Sequence, residues 1–460
     1  MTGCEKTNSQ SQPVTIDDKL ASVSRIKSFT KIGSNNGKKF STVYSILFEQ
    51  YVDHKDKSKG TFTQRLEFGY NGISSINVFV TEGYYDSGHH YISSNDENEL
   101  AFLLKCNYLT MEHRYFGKSL PVTIEKNKES SWKYLTTEQA AADAHDVVTE
   151  FKKILTGKWV STGASKSGMT TEMFAYYHPG DVDLYVPYVA PFCNSRSDMR
   201  MSKFIYEEAG NLQYGEARAK ELRKEVLYFQ VKMLEYRDVL APRFYQDGIT
   251  EKCTFAPNAS VDLIYDVAVI EFAIGWWQYY QTYSRLESCL SMLNTKGSGD
   301  ETKTQNEFYT YFTSVISPSD VSMDSVFEPY YIQAYQELGN YGYDIHYIKD
   351  ALTDQSVFTI TEDKAKTALF DLVLSEEQLE FEQKDLMYTN INDMLSSTEL
   401  QFILIYGSSD PWYAVRPDDV KDKDNVTIVV NTNRPHTANI SNLNSVDRVE
   451  LLNKIKGILE

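Results

Sequence analysis

Three residues carry the side chains that nucleophilic acyl chemistry needs, and they occur in the order Ser165, Asp410, His436. Serine is a weak nucleophile until a base takes its proton, and a histidine oriented by a carboxylate is a common base for that task. Ser165 lies within Gly163-Ala164-Ser165-Lys166-Ser167-Gly168. Where a strand turns sharply into a helix at such a serine, the residues two before and two after it must be small. Gly163 meets this condition, Ser167 stands where a second glycine is usual, and Gly168 follows directly. Taken alone, the segment also reads as a Gly/Ser-rich turn. Asp410 sits in Gly407-Ser408-Ser409-Asp410-Pro411-Trp412, and His436 follows Asn431 to Pro435. Each comes after a short apolar run, and the chain order nucleophile, acid, histidine is the one that strand-to-helix elbows of this kind use. The chemistry expected is attack of Ser165 on a carbonyl carbon, with His436 moving the proton and Asp410 holding the imidazole. The backbone N–H groups of Lys166 and of Tyr84, in the loop Gly83-Tyr84, are the expected oxyanion donors. Adjacent side chains diverge in a turn, so the Lys166 ammonium is expected to be a solvated neighbour.

The elements that must position these residues are legible as changes of hydrophobic period. Ser41 to Tyr51 and Thr61 to Tyr70 read as an N-terminal hairpin. Ile76 to Val80, Tyr108 to Met111, Trp159 to Thr162 and Leu184 to Ala190 read as short buried strands. Helices are predicted over 96–105, over Thr136 to Leu155 with Thr136 and Gln139 as a capping box, and over Ser167 to Tyr177. Residues 195–395 change character into long amphipathic stretches and predict a helical cap. The α/β pattern returns with Phe402 to Tyr406, Val426 to Val430 and a closing helix over Val446 to Ile458. Strands alternating with helices argue for a mostly parallel sheet covered on both faces. With the Ser165 segment, the expected fold is an α/β-hydrolase core (36–194 and 396–460) carrying the cap, preceded by a tether over 1–35.

Composition narrows the function classes. The formal net charge of −18 opposes binding to nucleic acid or to anionic membranes. No apolar run is long enough to span a bilayer. Met1-Thr2-Gly3-Cys4 resembles the end of a bacterial lipoprotein cleavage box, and a polar stretch follows it. The expectation is an exported, surface-held lipoprotein anchored at Cys4, or a secreted enzyme; the plain alternative is a cysteine that happens to lie near the terminus. The five cysteines show no metal-like spacing, so neither metal nor cofactor is expected. Cys253 and Cys289 are the pair that could bridge, against a default of free buried thiols. The 33 tyrosines and 5 tryptophans offer walls for a cleft as readily as packing. Trp412 and the cluster Trp276-Trp277-Gln278-Tyr279-Tyr280 are candidate walls.

Several segments resemble one clan of peptidases. Glu112-His113-Arg114-Tyr115-Phe116-Gly117-Lys118-Ser119-Leu120-Pro121 resembles the EHRYYGKSLP segment of prolyl carboxypeptidases and related dipeptidyl peptidases. Gly60 to Arg65, Tyr134 to Ala140, Gly163 to Gly168 and Asp410-Pro411-Trp412 are similar to other segments of the same enzymes. The lysine after Ser165 resembles the GGSKGG elbow of secreted bacterial prolyl tripeptidyl aminopeptidases. The resemblance implies a serine peptidase that cleaves after proline near a peptide N-terminus and releases tripeptides. A prolyl carboxypeptidase-like activity and an esterase on the same scaffold remain as alternatives. Arg434-Pro435-His436 departs from the Gly-x-His context common in the clan. For Glu112-His113-Arg114 two roles are open, a buried polar brace or a wall of the cleft, and the brace is favoured.

Overall fold

The computed structural model describes residues 14–33, 40–72, 76–84, 99–293, 301–323, 326–417 and 420–460. Among these residues nine strands form one sheet in the order β1-β2-β3-β5-β4-β6-β7-β8-β9. Their bounds are β1 Ile26–Gly33, β2 Thr42–Tyr51, β3 Thr61–Tyr70, β4 Ile76–Thr81, β5 Asn107–Met111, β6 Lys158–Ala164, β7 Leu184–Tyr188, β8 Phe402–Gly407 and β9 Val426–Asn431. The first three pair antiparallel, and β3 pairs antiparallel with β5. From β5 to β9 every pairing is parallel. An antiparallel lead-in, a β5-β4 exchange and a parallel run are the topology of an α/β-hydrolase.

Alternation along the central strands explains why both faces are covered. In β8, Phe402 and Leu404 join one apolar cluster while Ile403 and Ile405 join the other. The first cluster takes Val147, Val148 and Phe151 from the helix Thr137–Phe151 and Met173 and Phe174 from the helix Lys166–Tyr177. On the opposite face lie Leu100 and Ala101 of Glu99–Leu104 and Leu451, Ile455 and Leu459 of Ser445–Leu459. A continuous apolar run such as Phe402 to Tyr406 is what such two-sided burial requires.

Between β7 and β8 the elements are helical, among them Glu216–Glu235, Arg237–Thr250, Val261–Gly275 and Glu301–Thr313. Aromatic stacking joins them: the Phe229 ring lies 4.5 Å from Phe272 and 5.0 Å from Phe308. Two local expectations need correction. Residues 16–33 are not a tether. Ile16–Ser22 is a helix closed by a Thr15–Asp18 capping box, and β1 adds an edge strand to the hairpin. Cys4 and the rest of the leading segment lie outside the described residues. At Thr136 only half of the expected box forms: its side chain accepts from Gln139 N, whereas Gln139 Oε1 accepts from His54 N at 2.9 Å instead of from the Thr136 backbone. Cys289 carries a free thiol, so the Cys253–Cys289 bridge is not formed. No described helix is long and apolar enough to cross a membrane.

Candidate active site

β6, β8 and β9 lie in one parallel run, so whatever follows their C-terminal ends gathers at one edge of the sheet. Ser165 follows β6, Asp410 follows β8 and His436 follows β9. Ser165 is held at φ 57°, ψ −125°, a conformation that side chains other than glycine seldom take. Its N–H donates to Tyr188 O at 2.9 Å, and its carbonyl accepts from Met169 N at 3.0 Å. A Cβ on Gly163 would stand 2.5 Å from the Ser167 carbonyl, so only glycine lets strand and helix close on each other there. Ser165 is the N-cap of Lys166–Tyr177, at the positive end of that helix.

Asp410 and His436 meet directly: Nδ1 of the imidazole is 2.6 Å from Oδ2. The other carboxylate oxygen accepts from Trp412 N at 3.1 Å, which fixes the acid from its own turn. Both residues are buried. Nε2 of His436 has no hydrogen-bond partner, so the nitrogen that would face a nucleophile is uncommitted, and no Ser165–His436 bond exists in this state. The cap closes over this corner. His436 N donates to Gln278 O at 3.1 Å, and the Tyr279 ring stands edge-on to the imidazole at 5.5 Å.

A cavity of about 420 Å³ opens at Ser165, lined by Tyr84, Lys166, Met169, Gln278, Tyr279, Trp412 and others. The loop that carries Tyr84 is pressed against the elbow: a Cβ on Gly83 would lie 2.7 Å from the Lys166 carbonyl carbon. Ser167, which replaces the usual glycine, ties the two together. Its hydroxyl accepts from Gly83 N at 2.9 Å and donates to Glu82 Oε2 at 3.1 Å.

Lys166 is the largest departure from expectation. Its side chain is buried, donates to Gly83 O, and lies over the rings of Phe116 at 5.0 Å, Tyr84 at 5.4 Å and Tyr330 at 6.0 Å. Burial pulls its pKa down to about 7, opposed by the charge of Glu337, while ring faces attract the ammonium form. Of the proposed aromatic walls, Trp412, Gln278 and Tyr279 line the cavity. Trp276 and Trp277 do not; they are fully buried, and Trp276 Nε1 donates to Tyr311 OH at 2.9 Å. Phe327 and Tyr330 complete the wall and come from a cap segment that carries no motif.

Glu112, His113 and Arg114 hold loops in place. Arg114 is fully buried, binds Asp143 through two bonds of 2.7 Å, and donates to the carbonyls of Tyr51, Val52 and Tyr134. At the far end of the elbow helix His145, His178 and Asp181 cluster within 4.8 Å, an arrangement that sequence spacing did not foretell. The two imidazoles stack at 4.4 Å with 15° between planes, and His145 Nδ1 is already 2.6 Å from Asp181. The Asp181 hydrogen bond outweighs burial and raises the His145 pKa, which favours an ion pair there with the His178 ring stacked on it.

Comparison with known proteins places this geometry in a family. The model of the PS-10 peptidase S37 family matches residues 9–456, and the chain belongs to that family. It is 30% identical over 297 residues to a prolyl tri/tetrapeptidyl aminopeptidase of Streptomyces mobaraensis, a match covering 64% of this chain and 56% of that one. Human lysosomal Pro-X carboxypeptidase is 27% identical over 159 residues, covering 30% of this chain and 29% of its own. The matches thus span about half of the first relative and under a third of the second. Among solved structures, a proline iminopeptidase of Mycobacterium smegmatis aligns over 89% of this chain and 98% of its own, at 12% identity and a TM-score of 0.35.

Proposed function

We propose that this protein is a serine exopeptidase that cleaves after proline and releases short peptides, tripeptides foremost, from free N-termini. The observation that carries the reading is the 2.6 Å contact between Asp410 and His436, past the ends of strands parallel to the one that leads into a strained serine elbow, within a peptidase family. Ser165 Oγ attacks the carbonyl carbon of proline while His436 Nε2 takes its proton. Asp410 stabilises the imidazolium that results, and the same proton then goes to the leaving amine. Water repeats the cycle on the acyl-enzyme. The N–H groups of Lys166 and Tyr84 receive the oxyanion. Proline offers a rigid apolar ring and no N–H, and the aromatic lining by Tyr279, Phe327, Tyr330 and Trp412 suits it.

The name of the Streptomyces relative supports the aminopeptidase reading, and the Pro-X carboxypeptidase relatives favour a second, cleavage before the last residue of a chain. A mass-spectrometric digest separates them. Peptides with proline second or third from the N-terminus are offered with free or acetylated amines, beside peptides with proline next to last. Release of proline-ending fragments from free-amine peptides is expected. Loss of single C-terminal residues instead establishes the carboxypeptidase, and turnover of short esters with every prolyl peptide ignored establishes the esterase. The helical segment 195–395 acts in this reading as the cap that bars long chains. Export with a lipid on Cys4 is part of the same proposal.

A further inference from the structure

A second cavity, of about 340 Å³, adjoins the one at Ser165; Gln278, Tyr279 and Phe327 line both. Its lining holds two carboxylates, Glu271 and Asp320, and, among the described residues, no lysine, arginine or histidine. Glu271 comes from Val261–Gly275 and is more than nine-tenths buried. Its Oε1 accepts from Tyr341 OH at 3.0 Å and from Tyr343 OH, and its Oε2 is 3.2 Å from Tyr341 OH. Asp320 is committed to Ser317, whose N–H and hydroxyl donate to it at 2.7 and 2.9 Å. Because the Tyr341 proton is spent on Glu271, its phenol oxygen offers the cavity only lone pairs. The polar part of this space is therefore an acceptor surface of negative sign, one wall away from the nucleophile.

We propose that Glu271, with Tyr341 beside it, binds the α-ammonium group of the peptide substrate and so sets where the chain is cut. This rests on the aminopeptidase reading and names its amine site. An ammonium group brings three donors and one positive charge to a carboxylate whose present donors are neutral phenols and whose cavity, among the described residues, holds no cation. An acetylated terminus brings a carbonyl oxygen against those acceptors and no charge. An extended chain advances about 3.3–3.6 Å per residue, so a cavity one aromatic layer beyond Ser165 suits an amine about two or three residues upstream of the cut bond. Burial, with Asp320 adding to it and the phenol bonds opposing, pushes the Glu271 carboxyl up to about 7. A bound ammonium supplies the charge that favours its ionised form.

The test measures kcat/KM for one tripeptide ending in proline, joined to a chromogenic amine, with its N-terminus free or acetylated. Parent, Glu271→Gln and Tyr341→Phe are compared by the ratio of free to acetylated rates. The parent is expected to prefer the free amine. In Glu271→Gln the ratio should fall by at least about 30-fold, and in Tyr341→Phe by about threefold to tenfold. A packing defect lowers both rates together and leaves the ratio alone. A preference that both variants keep overturns the assignment of Glu271 while the aminopeptidase reading stands. A parent without any preference for the free amine overturns both. Should Glu271→Gln fail to fold, Tyr341→Phe decides by the same ratio.

Discussion

Ser165 occupies a backbone conformation that costs energy, and the Ser165 N–H to Tyr188 bond and the Gly163 approach hold it there. Ser165→Ala should keep the fold and lower kcat by on the order of 10⁴-fold or more, as triads do. Asp410→Asn and His436→Ala should each be crippling and should add little to Ser165→Ala, because the members of a triad act as a unit. Steady-state kinetics on a chromogenic prolyl peptide checks both; activity within about tenfold of the parent would remove Ser165 from the mechanism. Lys166 is a positioning residue in this account, since it ties the elbow to the Gly83 carbonyl from within a ring cage. Lys166→Met should lower kcat by about tenfold to a hundredfold with a smaller change in KM, because a loosened Gly83-Tyr84 loop weakens contacts to the oxyanion more than contacts to the substrate. Equal losses in both would mark it as a binding residue. That Ser165, Asp410 and His436 follow strands of one parallel run, with Asp410 and His436 in contact, was legible because each comes after a short apolar run, in an order that chemistry constrains. Lys166 was not, because its cage comes from Tyr84, Phe116 and Tyr330, which lie far apart in the chain.

At the scale of elements, the strands were legible because burial on two faces leaves continuous apolar runs; Thr61 to Tyr70 was predicted residue for residue. The edge strand β1 was missed because Ile26–Gly33 pairs on one side only, and its polar residues resemble those of a linker. The cap contributes its pocket residues from the π-helical turn Trp276–Tyr280 and from the segment around Phe327 and Tyr330, where no period singles them out. Two predictions concern how helices are fixed to the sheet. Burial alone would raise the Asp143 carboxyl, and the Arg114 guanidinium outweighs that and holds it below the usual range. Asp143→Asn leaves Arg114 buried without a counter-charge and should cost about 3–5 kcal/mol in denaturant unfolding. Glu172, in the elbow helix, is fully buried with neither carboxyl oxygen hydrogen-bonded, and burial pushes its pKa well up. Below the unfolded pKa both states hold the proton and nothing is lost. As pH rises above it the unfolded chain releases a proton that the fold retains, so stability falls. Glu172→Gln should remove that slope, raising Tm more at pH 8 than at pH 5; a larger gain at pH 5 would contradict the assignment.

For the whole molecule, a net charge of −18 opposes association with polyanions. Cap and core meet at the candidate site: Gln278 and Tyr279 reach His436, Phe327 and Tyr330 face Tyr84, and Gln278, Tyr279 and Phe327 line both cavities. Location is tested separately. The full gene product should partition into detergent, Cys4→Ala should release it, and recovery of both in the aqueous phase would end the anchor proposal. The central claim is that Ser165 attacks the carbonyl of a proline near a free N-terminus. It is tested most directly with a tripeptide whose terminal proline carboxyl is replaced by a phosphonate diester, followed by mass spectrometry of the labelled protein. One adduct on Ser165 is predicted, formed faster by the free-amine reagent than by its acetylated form and absent from Ser165→Ala. An adduct on another residue, or none while a simple fluorophosphonate still labels Ser165, would contradict the account.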